Sequence, residues 1–379
     1  MALVLTEEQT MLHDMAKDFF TEQVPVTNFR KLRDDEDENG YDQAVWQQIV
    51  ELGFAGILIP EEHGGTGFGP MGLGIVMKEA GRTLAATPLY ATAVLGAGLV
   101  LKAGSEAQKS DLLPKIAAGD MLTALALEET AHHNPTQVAT TAAKEADGYV
   151  LSGQKTFVLD GHIADTLIVV ARTQGQAGDT QGLSMFLVDA KADGVTIQRT
   201  QMVDTRNAAN VELDNVKLGA DALLGGEGGA YADLEDVLDL GRVCISAEML
   251  GGVEAVFDST LEYLKERKQF GKIIGTFQAL QHRAAEMFCE IEICQSVLLD
   301  ALSALDERRN DIPQLASLAK ARLGEASRTI TNEGVQMFGG IGMTDAVDVG
   351  LYLKRARVQA QIFGNTSYHR DRYANIGGY

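Results

Sequence analysis

The chain has 379 residues, 45% of them hydrophobic, and a formal net charge of -21, long enough to bury a sizeable core in two or three domains. That charge excludes nucleic acid or an acidic membrane surface as the main partner, since either would bring like charges together. Three cysteines, Cys244, Cys289 and Cys294, show neither metal-ligand nor Cys-x-x-Cys spacing, which suits a reducing cytoplasm.

The N-terminal "MALVLTEEQT" reaches acidic residues at once and carries no secretory pattern. From Thr6 to about Asp120 the periodicity is helical, with Thr6 as the N-cap of "EEQTMLHDMAKDFF" and a second helix ending near Gly53. Residues 1–120 are therefore expected to form a helical domain. The loop from Gly64 to Gly69 is rich in glycine but lacks a Gly-Lys-Ser/Thr ending, so it reads as a plain surface loop. "ATAVLGAGLVL", Ala91 to Leu101, is too short for the ~20 residues of a membrane span and reads as a buried helix.

Residues 121–229 change period. "GYVLSGQKTFVL", "DTLIVVART", "LSMFLVDA" and "GVTIQRT" are β-rich runs broken by turn residues, which predicts a middle β-barrel or sandwich domain. His132 and His133 lie between these regions; with no Cys or Glu-x-x-His partner nearby they read as part of a solvent-exposed loop, not a metal site. Residues 230–379 return to long helical runs with few breakers, and four long helices with short connections imply a C-terminal four-helix bundle. The predicted class is α+β.

Near the end lies "QIFGNTSYHR", in which Gly364 and Asn365 tolerate positive φ and suit a tight turn or a helix stop. The most informative stretch is "ERKQFGKIIGTFQALQH", Glu266 to His282. Taken alone, Arg267 at a helix end has a plain role in complementing the helix dipole. The whole run, together with "LTEEQ", "ELGFAGILIPEEHGGTG", "SGQKTFVLDGHIADTLIVVART" and "VQMFGGIGMT" in this order, closely resembles the acyl-CoA dehydrogenase family along essentially the full chain.

The resemblance implies FAD-dependent α,β-desaturation of an acyl-CoA thioester, in which a glutamate takes the Cα proton while a hydride leaves Cβ. In most of the family that glutamate stands at the position of Gly364; in some relatives it stands at Gly241, just before Arg242, a substrate-binding residue by the same resemblance. Both positions are glycine here. Glu248 lies about 10 Å along the helix from Gly241, too far for a proton transfer needing ~3 Å. Asp371 falls outside the motif, and both acids read as ordinary helix-surface or capping residues.

By resemblance, Arg267, Gln269, Phe270 and Gln278, with Gln336, Gly339, Gly340 and Thr366, contact FAD bound mainly by a partner subunit. The chain's own flavin contacts look eroded. Leu127 stands where the family carries a hydroxyl, His132 to Asn134 replace Gly-Ser-Asp, and Leu159 replaces a second hydroxyl, while Phe157 keeps an aromatic ring. This combination resembles the glutamate-lacking subunit of α2β2 acyl-CoA dehydrogenases of steroid side-chain breakdown. The implied partners are a glutamate-bearing subunit, acyl-CoA and electron-transferring flavoprotein. Two other readings fit the same fold: a self-sufficient homotetrameric dehydrogenase with a relocated carboxylate, and a flavin monooxygenase or non-catalytic binding protein.

Overall fold

A computed structural model describes residues 4–379. The N-terminal region holds α1 (Glu7–Gln23), α2 (Val26–Asp34), α3 (Gln43–Glu51), α4 (Gly69–Arg82), α5 (Ala97–Ala103) and α6 (Glu106–Ala117). Thr6 caps α1 as expected: its side chain accepts from the Gln9 amide and the Gln9 side chain accepts from the Thr6 amide, which satisfies two otherwise orphaned donors. Leu12, Ala16, Phe19 and Phe20 bury the inner face of α1 at spacings of three and four. The "ATAVLGAGLVL" segment is buried as expected, but Tyr90–Gly96 is wound as a π-helix before α5.

Strands follow: β1 (Thr123–Ala126), β2 (Thr141–Glu145), β3 (Gly148–Leu159), β4 (Thr166–Arg172), β5 (Leu183–Asp189), β6 (Val195–Gln201), β7 (Asn207–Gly219) and β8 (Leu223–Leu224). They form one eight-stranded sheet in the order β6-β7-β3-β2-β4-β5-β8, with β1 parallel to β4. Its apolar face buries Leu151, Leu167, Val169, Phe186, Val211 and Val216 in one cluster. The register of β3 on β7 shifts between Lys155 and Val158, where Phe157 takes φ +53°. Such a bulge re-aims the side chains that follow it.

The C-terminal region holds α7 (Tyr231–Glu266), a small hairpin of β9 (Lys268–Gln269) and β10 (Lys272–Ile273), then α8 (Gln278–Glu307), α9 (Ile312–Phe338), α10 (Val349–Gln359) and α11 (Thr366–Ile376). The helix α11 joins the four long helices expected. No described helix is long and apolar enough to cross a membrane.

Compact packing divides the chain into two units, one of the chain up to Lys31, Pro70–Ala85 and Arg242–Tyr379, the other of Leu32–Gly69 and Ala86–Gly241. In the first, α4 and α7 cross at backbone contact. A Cβ on Gly81 would lie 2.0 Å from the Glu248 carbonyl oxygen, and one on Gly251 would lie 1.8 Å from that of Lys78. Ion pairs flank the crossing, from Arg82 to Glu254 at 3.0 Å and Asp258 at 2.6 Å, and from Lys78 to Glu254 at 2.8 Å. Since the obstructing atoms are backbone, Gly251→Ala forces the helices apart. It should lower unfolding stability by about 3 kcal/mol or more, read as a drop in the urea midpoint at unchanged slope.

Candidate functional site

The "QIFGNTSYHR" stretch forms the turn from α10 to α11. Phe363 and Gly364 both take positive φ, +50° and +107°. Asn365 stays extended at φ -84° and caps α11, its side chain accepting from the Tyr368 amide at 3.0 Å. The turn leaves carbonyls pointing inward, and buried cations meet them. Lys320 of α9, wholly buried, donates to the carbonyls of Gln359 at 2.8 Å, Ala360 at 3.3 Å and Gly364 at 3.2 Å. Arg242 Nε donates to the Phe363 carbonyl at 3.3 Å.

The same Phe363 oxygen lies 3.0 Å from His369 Nε2. A carbonyl only accepts, so Nε2 carries the proton and Nδ1 is left as an acceptor, 3.4 Å from Ser317 Oγ. Burial, reinforced by the charges of Lys320 and Arg242, holds the His369 imidazole neutral far below its usual titration range. Burial, with Arg242 nearby, also pulls Lys320 down to about 7.

This packing closes Gly364, the first position at which the resemblance looks for a base. A Cβ built on Gly364 would lie 2.3 Å from the Tyr368 ring and 2.8 Å from His369 Nε2, at a φ where L side chains are strained. The second position, Gly241, is met from another direction: its carbonyl accepts the Tyr90 hydroxyl at 2.9 Å. Glu248 is no surface residue. It is buried and paired with Arg355 at 3.3 Å, and the Arg355 guanidinium lies 5.5 Å from the centre of the Phe29 ring. Asp371 is exposed on α11.

Arg267, Gln269 and Phe270 stand together on the β9-β10 hairpin, whose two turn residues, Phe270 and Gly271, have φ of +55° and +80°. That pairing is the signature of a type I′ turn. It raises the Phe270 ring 88% into solvent, while the Arg267 side chain is exposed and makes no ion pair or hydrogen bond among the described residues. Near the same end of α7, Tyr263 stacks on Phe338 at 4.3 Å and donates to the Phe338 carbonyl at 3.2 Å. This contact ties the end of α9, and with it Gln336, Gly339 and Gly340, to the end of α7. Gln278 and Gln336 are exposed, and a Cβ on Gly339 or Gly340 would meet nothing within 4 Å. Thr366 lies apart at the start of α11, where a Cβ on Gly324 would come 2.5 Å from its hydroxyl.

In the other unit the Leu127–Asn134 loop is folded on itself. The His133 side chain is buried, not exposed as its sequence suggested, because its Nδ1 lies 2.5 Å from Glu128 Oε1. Glu129 accepts from the amides of Ala139 at 2.6 Å and Thr140 at 3.0 Å and from Lys155 Nζ at 2.7 Å, and Lys155 also donates to the Leu127 carbonyl at 3.1 Å. Burial pushes Glu129 upward, but the Lys155 charge together with the hydrogen bonds from Lys155, Thr140 and Ala139 holds the carboxyl below its usual range; burial pulls Lys155 down to about 8. Leu127 and Leu159 are buried and bring no hydrogen-bonding side chain.

Sequence reasoning passed over Lys320, His369, Tyr90 and the Lys155–Glu129 pair. Lys320 had a signal: Ala316, Leu323 and Ser327, at spacings of four, three and seven, share its buried face, and a lysine on such a stripe demands partners.

Three family profiles match the chain: Acyl-CoA dehydrogenase, N-terminal domain, over residues 6–120, middle domain over 124–216 and C-terminal domain over 227–376. The probable acyl-CoA dehydrogenase YngJ of Bacillus subtilis is 32% identical over 361 residues, 93% of each chain. Among solved structures, the steroid ACAD Tcur3481-Tcur3483 is 30% identical with a TM-score of 0.88 over 98% of each chain. The ChsE4-ChsE5 complex of Mycobacterium tuberculosis is 25% identical with a TM-score of 0.90, covering 100% of this chain and 99% of that one. The chain belongs to the acyl-CoA dehydrogenase family, whose members are FAD-dependent flavoproteins that oxidise acyl-CoA thioesters.

The residues present fit that flavin on one side only. The hairpin offers an exposed guanidinium fork, and with the start of α8 and the end of α9 exposed side-chain amides and open glycine backbone, which suit a pyrophosphate and its neighbours. The Leu127–Asn134 loop has its carboxylates taken up by His133, Lys155 and the Ala139 and Thr140 amides, and Leu127 and Leu159 add no donor.

The neutral His369 gives a pH test. An unfolded histidine binds a proton below about 6.5 and the buried one does not, so stability is present above that pH and is lost on acidification. Thermal midpoints should fall from pH 7 to 5, and His369→Gln should flatten that slope by up to about 1.4 kcal/mol per pH unit.

Proposed function

We propose that this chain is the glutamate-lacking subunit of a heteromeric acyl-CoA dehydrogenase, an α2β2 assembly in which it completes a FAD site held mainly by a glutamate-bearing partner. The observation that carries the reading is the closed position at Gly364, where a side chain has no room, beside an exposed and unengaged Arg267. A chain that cannot place the base yet keeps outward-facing flavin contacts is suited to serve a neighbour's cofactor.

In such a complex FAD supplies the hydride acceptor for desaturation of the thioester. The roles of this chain are to hold and orient. Arg267, Gln269 and Phe270 would grip the flavin's ADP half, with Gln278, Gln336, Gly339, Gly340 and Thr366 around it. Arg242, Lys320 and His369 fix the α10–α11 turn against which the substrate site is built, and the Cα proton would leave to a carboxylate of the partner.

Heteromeric assembly and a steroid side chain as substrate are supported by the likeness to Tcur3481-Tcur3483, a steroid ACAD, and to the ChsE4-ChsE5 complex. Electron-transferring flavoprotein is the proposed acceptor, and the thiols Cys244, Cys289 and Cys294 suit a cytoplasmic setting. The reading with a relocated carboxylate finds little support, since Glu248 is engaged by Arg355 and Asp371 lies exposed.

The test is flavin absorbance per chain, with mass by light scattering, for the protein alone and coexpressed with a glutamate-bearing partner. One flavin per two chains, only in the mixed tetramer, is expected; one flavin per chain in a homotetramer would overturn the reading. Arg267→Ala removes a charged hydrogen bond worth about 1.5–3 kcal/mol, so it should weaken flavin retention by the complex about 10- to 150-fold. Unchanged retention would sink the role given to Arg267.

A further inference from the structure

A base at position 241 would have to stand within about 3 Å of the proton it removes. An acyl group served from that position must therefore lie beside α7 at Gly241. In this chain the Tyr90 hydroxyl donates to the Gly241 carbonyl at 2.9 Å, which brings its ring, 3% exposed, against that stretch of α7. The Arg206 guanidinium lies 6.0 Å from the centre of the ring and adds a cation–π contact.

The segment carrying Tyr90 has no room to retreat. It begins the π-helical turn Tyr90–Gly96, all of it buried, an uncommon winding that often marks functional sites. Past that turn, a Cβ on Gly98 would lie 3.0 Å from Val237 and 3.4 Å from Leu240, so α5 runs against this stretch of α7. On its other side, a Cβ on Gly96 would overlap Thr123 Oγ1 at 1.7 Å, and the Thr123 amide donates to Thr92 Oγ1 at 3.1 Å. Held between α7 and β1, the turn keeps the Tyr90 ring in place.

We infer that Tyr90 closes the acyl-binding space beside Gly241, so that this chain excludes the acyl group of a thioester from its own half of the enzyme. The inference deepens the subunit reading and rests on it for the meaning of position 241. It assigns Tyr90 as a substrate-excluding residue, with Arg206 as the group that steadies its ring.

The experiment is calorimetric titration of the purified full-length chain with S-methyl-, S-butyl- and S-octyl-CoA, thioethers that cannot be oxidised as acyl thioesters. A pocket that takes the alkyl group gains affinity about fourfold per buried methylene. Wild type is expected to show no binding, or binding that does not change with chain length. Tyr90→Ala should open the space and restore a rise in affinity from methyl to octyl. Tyr90→Leu, which keeps apolar volume and protects against misfolding, should restore part of that rise, while Tyr90→Phe keeps the ring and should stay flat. A steep dependence in wild type would overturn the inference, as would folded Ala and Leu variants that both stay flat.

The titration does not read flavin content. One flavin per chain in a homotetramer would refute the subunit reading and leave a flat titration intact. Chain-length-dependent binding by wild type would refute the role of Tyr90 and leave the flavin count untouched.

Discussion

Two helices can approach to backbone contact only where neither carries a side chain, and α4 and α7 do so at Gly81 and Gly251. This crossing seats the part of α7 from Arg242 onward, which sends Arg242 to the Phe363 carbonyl and Glu248 to Arg355. Had either glycine been larger, α7 would stand off and both reaches would lengthen. Ion pairs from Arg82 and Lys78 lie across the same contact, but at partly exposed positions such pairs contribute little beside close packing.

What Arg242 reaches is a turn whose carbonyls face inward. Between Gln359 and Gly364 the chain leaves one helix and enters another, and its carbonyls face the interior, where an unpaired acceptor costs about 1–3 kcal/mol. Lys320, Arg242 and His369 supply the donors. This solution has a geometric consequence: His369 and Tyr368 come close enough to the turn that Gly364 has no space for a side chain. The lack of a side chain at position 364 is thus part of how the turn is packed, more than a single changed letter.

The two units treat polar groups in opposite ways. The Leu127–Asn134 loop spends its carboxylates on His133, Lys155 and the amides of Ala139 and Thr140, a closed network that needs no ligand to be satisfied. The β9-β10 hairpin leaves a guanidinium, amides and an aromatic ring in water. An exposed Phe at positive φ is costly in an isolated protein, and contact with a partner would offset that cost. Closed contacts in one unit and open ones in the other are consistent with the division of a site between unlike subunits proposed above.

Much of this was legible in the residues. The helix–sheet–helix order and the Thr6 cap follow from local periodicity and from motifs, because caps and strands act over a few neighbours, and the resemblance marked Gly241 and Gly364 as places where a base was to be looked for. Long-range pairing was not legible: nothing within several residues of Lys320 announces that its ammonium meets carbonyls some 40 residues away, nor that His133 is buried on Glu128. The sequence by itself determined the family, the order of elements and the absence of an acid at positions 241 and 364. Only the tertiary structure decided that position 364 does not stand open and that the Tyr90 hydroxyl meets the Gly241 carbonyl, because both depend on which side chains the folded backbone brings together.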